Sequence, residues 1–269
     1  MRNIIQIIIV LALLVTGVSL ILMVVVKVRT AGNRMSCVNN LYQLGLTLES
    51  YYGTNQCYPP GTVQKTTLHP EERLSWLVSI WPYIEAGPRL RVDTAKPWNS
   101  TTNYPPFVDF FDKTNGPAQP VGRMKLFQCP SNPQPPGPDD ATALHYLGIA
   151  GIGPNAASLP LDEPGVGFFG YDRRIKKSDI IDGISNTIAV METLREVGPW
   201  TAGGPYTVRG LSDPTVTPYF GRDGQWSTKH HITNVLFADC SVKGMQESIS
   251  SSVLEALATI GGREDVSPP

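Results

Sequence analysis

The chain predicts an α+β protein in which a long N-terminal helix is laid against a β-rich, loop-rich body. Three observations carry that reading. An uncharged run from Ile4 to Val26 opens the chain, an apolar stripe at helical spacing continues it to Tyr52, and 25 glycines and 24 prolines chop most of the remainder into short apolar runs.

The run from Ile4 to Val26 has Gln6, Thr16 and Ser19 as its only clearly polar members. At about 1.5 Å of helical rise per residue, such a run matches a hydrocarbon core of roughly 30 Å. Its uniform apolarity leaves no wet face, so residues 1–26 read as a single membrane-spanning anchor with the lipid bilayer as partner. The run exceeds the roughly 7–15 apolar residues of a signal peptide, and Thr30-Ala31-Gly32 is a poor cleavage site, so retention is expected. Beyond it, Cys37, Leu41, Leu44, Leu48 and Tyr51 recur in alternating steps of four and three, which places them on one helix face. One reading is a helix over 27–52 that continues the anchor and ends at Gly53-Thr54-Asn55. The other is a break near Ala31-Gly32 between two separate helices.

Residues 27–269 then form a single body. The chain holds 22 basic and 23 acidic side chains, a net charge of −1, which gives no electrostatic reason to expect nucleic acid. Arg2 faces Lys27, Arg29 and Arg34 across the span, a difference that leans slightly toward a cytoplasmic body. Leu74–Ile84 predicts a short amphipathic helix interrupted by Pro82, and 86–122 predicts loop. Strands are expected at Met124–Gln128, Leu144–Ala150, Gly165–Tyr171 and Thr187–Met191. Ser178 is the expected cap of a helical turn from Asp179 to Gly183. Residues 195–226 read as loop. Asn234–Ala238 and Ser241–Met245 flank Asp239-Cys240 as a hairpin with a two-residue turn, and a serine among 250–252 caps a last helix over Val253–Ile260.

Chemistry-bearing patterns are sparse. Adjacent residues on a strand point to opposite faces, so His230 and His231 do not share a metal ion with Asp239. The oxygen-rich Asp182-Gly183-Ile184-Ser185-Asn186 stretch lacks the alternating carboxylates of a calcium loop and reads as a turn in which Asp182 and Asn186 bond the backbone. No nucleophile elbow, phosphate-cradling glycine loop or His-Glu-x-x-His occurs. The expectation is a non-enzyme with no cofactor and no metal. The four cysteines, at 37, 57, 129 and 240, have no zinc-like spacing. They read either as two disulfides of an extracytoplasmic body or as buried thiols.

An ordered series of short motifs then resembles a bacterial family of unknown function, abundant in planctomycetes, with a prepilin-type N-terminal helix and a C-terminal His-to-Asp-Gly motif. The series runs from Cys37-Val38-Asn39-Asn40-Leu41 through Tyr58-Pro59-Pro60-Gly61, Ser75-Trp76 and Cys129-Pro130-Ser131. It continues with Asp182-Gly183-Ile184-Ser185-Asn186-Thr187 through Glu192, Gly198-Pro199-Trp200, and Asn234-Val235-Leu236-Phe237-Ala238-Asp239. The resemblance implies a pilin-like fold, a helix packed on an antiparallel sheet, with the body on the outer face of the cytoplasmic membrane. It also singles out Asn40, Asp182, Gly183, Ser185, Asn186, His230, Asn234 and Asp239 as motif positions. Three departures stand out: no Gly-Phe processing site precedes the apolar run, no acidic residue occurs before Glu49, and Cys240 replaces the glycine after Asp239. Cys57 and Cys240 both look like additions to the family pattern, which suggests a bridge between them and leaves Cys37 and Cys129 as the remaining pair.

The resulting expectation is a membrane-anchored, non-enzymatic, pseudopilin-like structural or interaction protein, partnered by other pilin-like or surface proteins. The alternative is a surface module for a glycan or peptide, with Trp98 or Trp200 as a stacking platform.

Overall fold

The computed structural model describes residues 2–84, 89–109, 119–120, 124–131, 143–212, 214–215, 217–220, 224–226, 228 and 232–262. It is an α+β structure. Helix α1 (Arg2–Asn55) runs unbroken for 54 residues, so nothing interrupts it at Ala31-Gly32. Its first half is long and apolar enough to cross a membrane, and none of its apolar window is buried against the body. From Cys37 onward the same helix changes character: Cys37, Leu41, Leu44 and Leu48 are buried, as the four-and-three spacing requires. Gln56, in the left-handed region at φ 57°, closes the helix by donating its N–H to Tyr52 O at 2.8 Å.

α1 is followed by α2 (Trp76–Ile80), which tightens into a 3₁₀ turn over Trp81–Tyr83. Pro82 sits in the first turn of that segment, where a missing N–H costs nothing. The stretch expected to be loop instead holds a small antiparallel sheet, β1 (Arg89–Arg91), β2 (Phe107–Asp109) and β3 (Gln119–Pro120), in the order β1-β2-β3. The main sheet has five strands: β4 (Tyr146–Ile152), β5 (Ile188–Glu192), β6 (Val208–Leu211), β7 (Ile232–Phe237) and β8 (Val242–Gln246). Their order is β6-β4-β5-β7-β8. The sheet is mixed rather than purely antiparallel, because β6 lies parallel to β4. Between β4 and β6 the chain passes through β5 and the segment after it, which supplies the long crossover a parallel pairing needs. Helix α3 (Ser251–Ala258) follows, with Ser250 Oγ accepting from Val253 N–H, and packs on β4 and β5.

Three expected elements take other forms. Met124–Gln128 is a 3₁₀ turn over Lys125–Phe127. The turn near Asp179 starts earlier, at Lys177, and Asp179 rather than Ser178 holds it by accepting the Lys176 N–H at 2.8 Å. Gly165–Tyr171 is not a strand but an extended segment crossing β4, with Gly167 and Phe169 N–H bonded to Ala150 O and Ile149 O. The crossing is so close that a Cβ on Gly151 (φ 112°) would lie 1.9 Å from Gly165 O. Arg173 stitches the crossing together. Its buried guanidinium donates to the carbonyls of Ala150, Ala156, Leu159, Gly167 and Phe169.

The β7–β8 hairpin positions the helix. Its loop is three residues, Ala238–Cys240, rather than two, with Cys240 N–H donating to Phe237 O and Phe237 N–H to Ser241 O. Such loops place their last residue in the left-handed region, and Cys240 is there at φ 68°. A residue with a Cβ pays about 1–2 kcal/mol for that conformation. Asp239 offsets it by accepting from both the N–H (2.9 Å) and the hydroxyl (2.6 Å) of Ser241. α1 lies directly over this loop. A Cβ on Gly45 would sit 2.9 Å from Leu236 Cδ1 and 3.2 Å from Cys240 Cβ, so the absence of a side chain at 45 sets how near the helix comes.

Candidate functional site

The polar and sulfur-bearing residues of the interior converge where α1 leaves its exposed apolar half and meets the sheet. Arg34, Cys37 and Asn40 lie at successive three-residue steps on α1, so all three turn toward the body within about two helical turns. Cys37 is bonded to Cys129, with Cα atoms 5.0 Å apart and a sequence separation of 92. Asn40 Nδ2 donates to Lys125 O (2.8 Å), Gln128 O (3.1 Å) and Tyr146 Oη (3.2 Å), fastening the helix to the 3₁₀ turn that delivers Cys129.

Glu192 ends β5, directly across from Tyr146 of β4. Asn234 of β7 donates Nδ2 to Glu192 Oε2 at 2.7 Å, and its own Oδ1 accepts from Arg34 Nε at 3.5 Å. Glu192 is 0 % exposed, and Oε1 has no hydrogen-bond partner among the described residues. Burial pushes the carboxyl up to about 7, against the opposing pull of the Asn234 hydrogen bonds and the Arg34 charge. The sulfurs of Cys37 and Cys129 and a Glu192 carboxylate oxygen lie within 4.8 Å of one another. Nearby, His145 accepts the Cys129 N–H on Nδ1 at 3.0 Å. Burial holds this imidazole down at about 4, so it is neutral at physiological pH.

A second tie lies further along α1. Glu49 accepts from Tyr58 Oη at 2.5 Å and pairs with Lys177 Nζ at 2.7 Å, and that ammonium sits 4.9 Å from the Tyr52 ring centre.

The motif residues divide between these structures. Asn40 and Asn234 belong to the joint. Asp182, Gly183, Ser185 and Asn186 form the turn ahead of β5. There Asn186 Nδ2 donates to Asp182 O, Asp182 Oδ2 accepts the Gly262 N–H at 2.8 Å, and Gly183 has φ 91°. Ser185 bonds the Asp239 carboxyl, and this bond with those from Ser241 holds Asp239 below its ordinary value despite the opposing effect of burial. His230 and His231 lie outside the described residues.

The bridge between Cys57 and Cys240 is not formed: both are free, half-buried thiols. Tyr58, not Cys57, is the residue that turns inward beside Glu49 and Cys240: it is fully buried, and burial first, then Glu49 and Cys240, raise its phenol. Burial, with Glu49 and Asp239 close by, pushes the Cys240 thiol up to about 11, so it stays protonated.

Trp200 is closed to the expected platform role, whereas Trp98 is only half-buried. Trp200 is fully buried, 5.1 Å from Trp81 in a stacked pair, and Trp98 donates Nε1 to Glu71 O. A different tryptophan borders a cleft of about 570 Å³ at the β6 edge, lined by Arg195, Glu196, Arg209, Ser212, Gln225 and Trp226. Arg209 lies 5.5 Å from the Trp226 ring centre and pairs with Glu196 at 3.0 Å.

Residues 27–223 match a family described as "Protein of unknown function (DUF1559)". No curated protein and no solved structure matches the chain.

Proposed function

As the chain belongs to this family of unknown function, its role rests on its geometry, and we propose that it is a single-pass membrane protein whose body acts as a non-enzymatic structural or interaction element, pseudopilin-like in build. The observation that carries this reading is the undivided α1. Its apolar half is exposed as a bilayer segment requires, and its second half is fixed to the body by a disulfide, Asn40 and the Glu49 cluster. Such a joint transmits the orientation of the helix to the body without a hinge.

The face of α1 turned away from the sheet supports the interaction role. Val28, Met35, Tyr42 and Leu46 share it and remain 66 %, 64 %, 47 % and 46 % exposed. That stripe continues the lipid-exposed surface, so its natural partner is another membrane-anchored helix of pilin-like or surface proteins. The disulfide supports an extracytoplasmic body, because such bonds persist on that side of the membrane. Protease shaving of intact cells or spheroplasts should remove the body and leave the anchor. A body that is protected until the membrane is permeabilised refutes the orientation. Single cysteines at Met35 and Leu46 should crosslink to partner helices in the membrane, and their failure to do so counts against the interaction role.

The β6-edge cleft favours a second reading, a surface module for a glycan or peptide. Its mixture of arginines, Gln225, Ser212 and an aromatic wall suits a hydroxyl- or carboxylate-bearing ligand. Screening against glycan and peptide libraries, with Arg209→Ala as control, tests it.

A further inference from the structure

The joint contains a buried carboxylate oxygen that its structural role leaves unused. Glu192 Oε2 is held by Asn234, yet among the described residues Oε1 has no hydrogen-bond partner although no part of Glu192 reaches solvent. Buried polar atoms without partners are rare, and each one asks for an explanation such as a redox role or an ion. Beside it lies the Cys37–Cys129 pair, whose sulfurs lie within 4.8 Å of a Glu192 carboxylate oxygen and are equally buried.

We propose that Cys37, Cys129 and Glu192 form, once the disulfide is reduced, a binding site for a thiophilic divalent cation of the zinc class. A dithiol reductant supplies the two electrons: the protein S–S bond breaks, the reductant closes its own disulfide, and its two protons pass to the cysteines. The cation then displaces both protons and is bound by two thiolates and a carboxylate. Sulfur donors select zinc-like ions over calcium or magnesium, and three protein ligands leave one tetrahedral position open.

Two features argue for an ion at this place. Charge balances: two thiolates and one carboxylate carry three negative charges, matched by a divalent cation and the Arg34 guanidinium, which already acts on Glu192. The outer shell is also built. Asn234 fixes one carboxylate oxygen and is itself held by Arg34, leaving the other oxygen available as metal ligands require. The joint would thus be closed by a covalent bond under oxidising conditions and by an ion under reducing ones, with α1 seated on the sheet in both.

Cobalt titration of the full chain in detergent tests this. Cys57→Ser and Cys240→Gly remove the unrelated thiols, and a phosphine keeps Cys37 and Cys129 reduced. The expected result is a sulfur-to-cobalt charge-transfer band that saturates at one ion per chain, is displaced by zinc and is absent from the oxidised protein. Glu192→Gln should weaken binding at least about tenfold. Absence of the band in the reduced chain, or an affinity unchanged by Glu192→Gln, overturns the proposal. Near-ultraviolet circular dichroism is followed in parallel. A reduced chain that loses its packing and does not regain it with cobalt overturns the proposal equally.

Discussion

Glu192 and His145 flank the β4–β5 pairing at the joint, and their proton equilibria pull stability in opposite directions. Glu192 is raised from 4.5 to about 7, so between those values the folded chain keeps a proton that the unfolded chain has released, and stability falls as pH rises. His145 is lowered from 6.5 to about 4, so over that interval the unfolded chain holds a proton that the folded chain lacks, and stability rises with pH. Each of these displacements corresponds to about 3 kcal/mol. In the oxidised wild-type chain the two slopes cancel over about pH 4.5–6.5, leaving a nearly flat profile and a small decline toward pH 7. Glu192→Gln keeps an acceptor for Asn234 but removes the titration. Its stability should therefore rise by about 3 kcal/mol from pH 4 to 6.5 and level off above. Denaturant unfolding of the oxidised full chain in detergent, with chelator present and salt held constant, measures both profiles. A variant whose profile runs parallel to the wild type refutes the opposition of the two buried groups.

Other outcomes follow from the same contacts. Cys37→Ser opens a loop spanning 92 residues and should cost about 4 kcal/mol, with the reduced wild-type chain unfolding at a similar denaturant midpoint. Non-reducing peptide mapping should find Cys37 joined to Cys129. On alkylation near pH 8, Cys57 should label well before Cys240, whose thiol at about 11 leaves a thiolate fraction of roughly one in a thousand. Arg173→Met strands several buried carbonyls at the β4 crossing and should destabilise the body by more than about 3 kcal/mol, seen as a lowered thermal midpoint.

The architecture was legible wherever one interaction dominates locally. The spacing of Cys37, Leu41, Leu44 and Leu48 located the buried face of α1, and Ser250 marked the start of α3 within a residue or two. Short strands in polar stretches were not legible. β1, β2 and β6 have three or four residues each, too few to display a period, and they form because a neighbouring strand supplies their hydrogen bonds. Gly165–Tyr171 misled for the converse reason. It has a strand's composition, but a glycine-only approach to β4 fixes its path. The turn around Cys240 was legible as a hairpin and not in its length: two residues were expected, and the third loop position was not. At the joint, Asn40 and Asn234 stood out through their motifs, whereas Arg34, Tyr146 and Glu192 gained their roles only from being brought together. A carboxylate closing the apolar run Ile188-Ala189-Val190-Met191 was the one local signal that a buried partner awaited it.

The undivided course of α1 also makes it an axle with a fixed phase. Each residue of a helix advances about 100° and 1.5 Å, and Cys37 locks that phase to the sheet. The side of the apolar segment that faces a given neighbour therefore dictates which side of the body meets that neighbour's body. Inserting a single alanine between Lys27 and Asn33 would leave the hydrophobic length and every contact of the body intact. It would nevertheless swing the whole body about 100° around the axis, changing the surface it presents while its fold and its tether stay as they were.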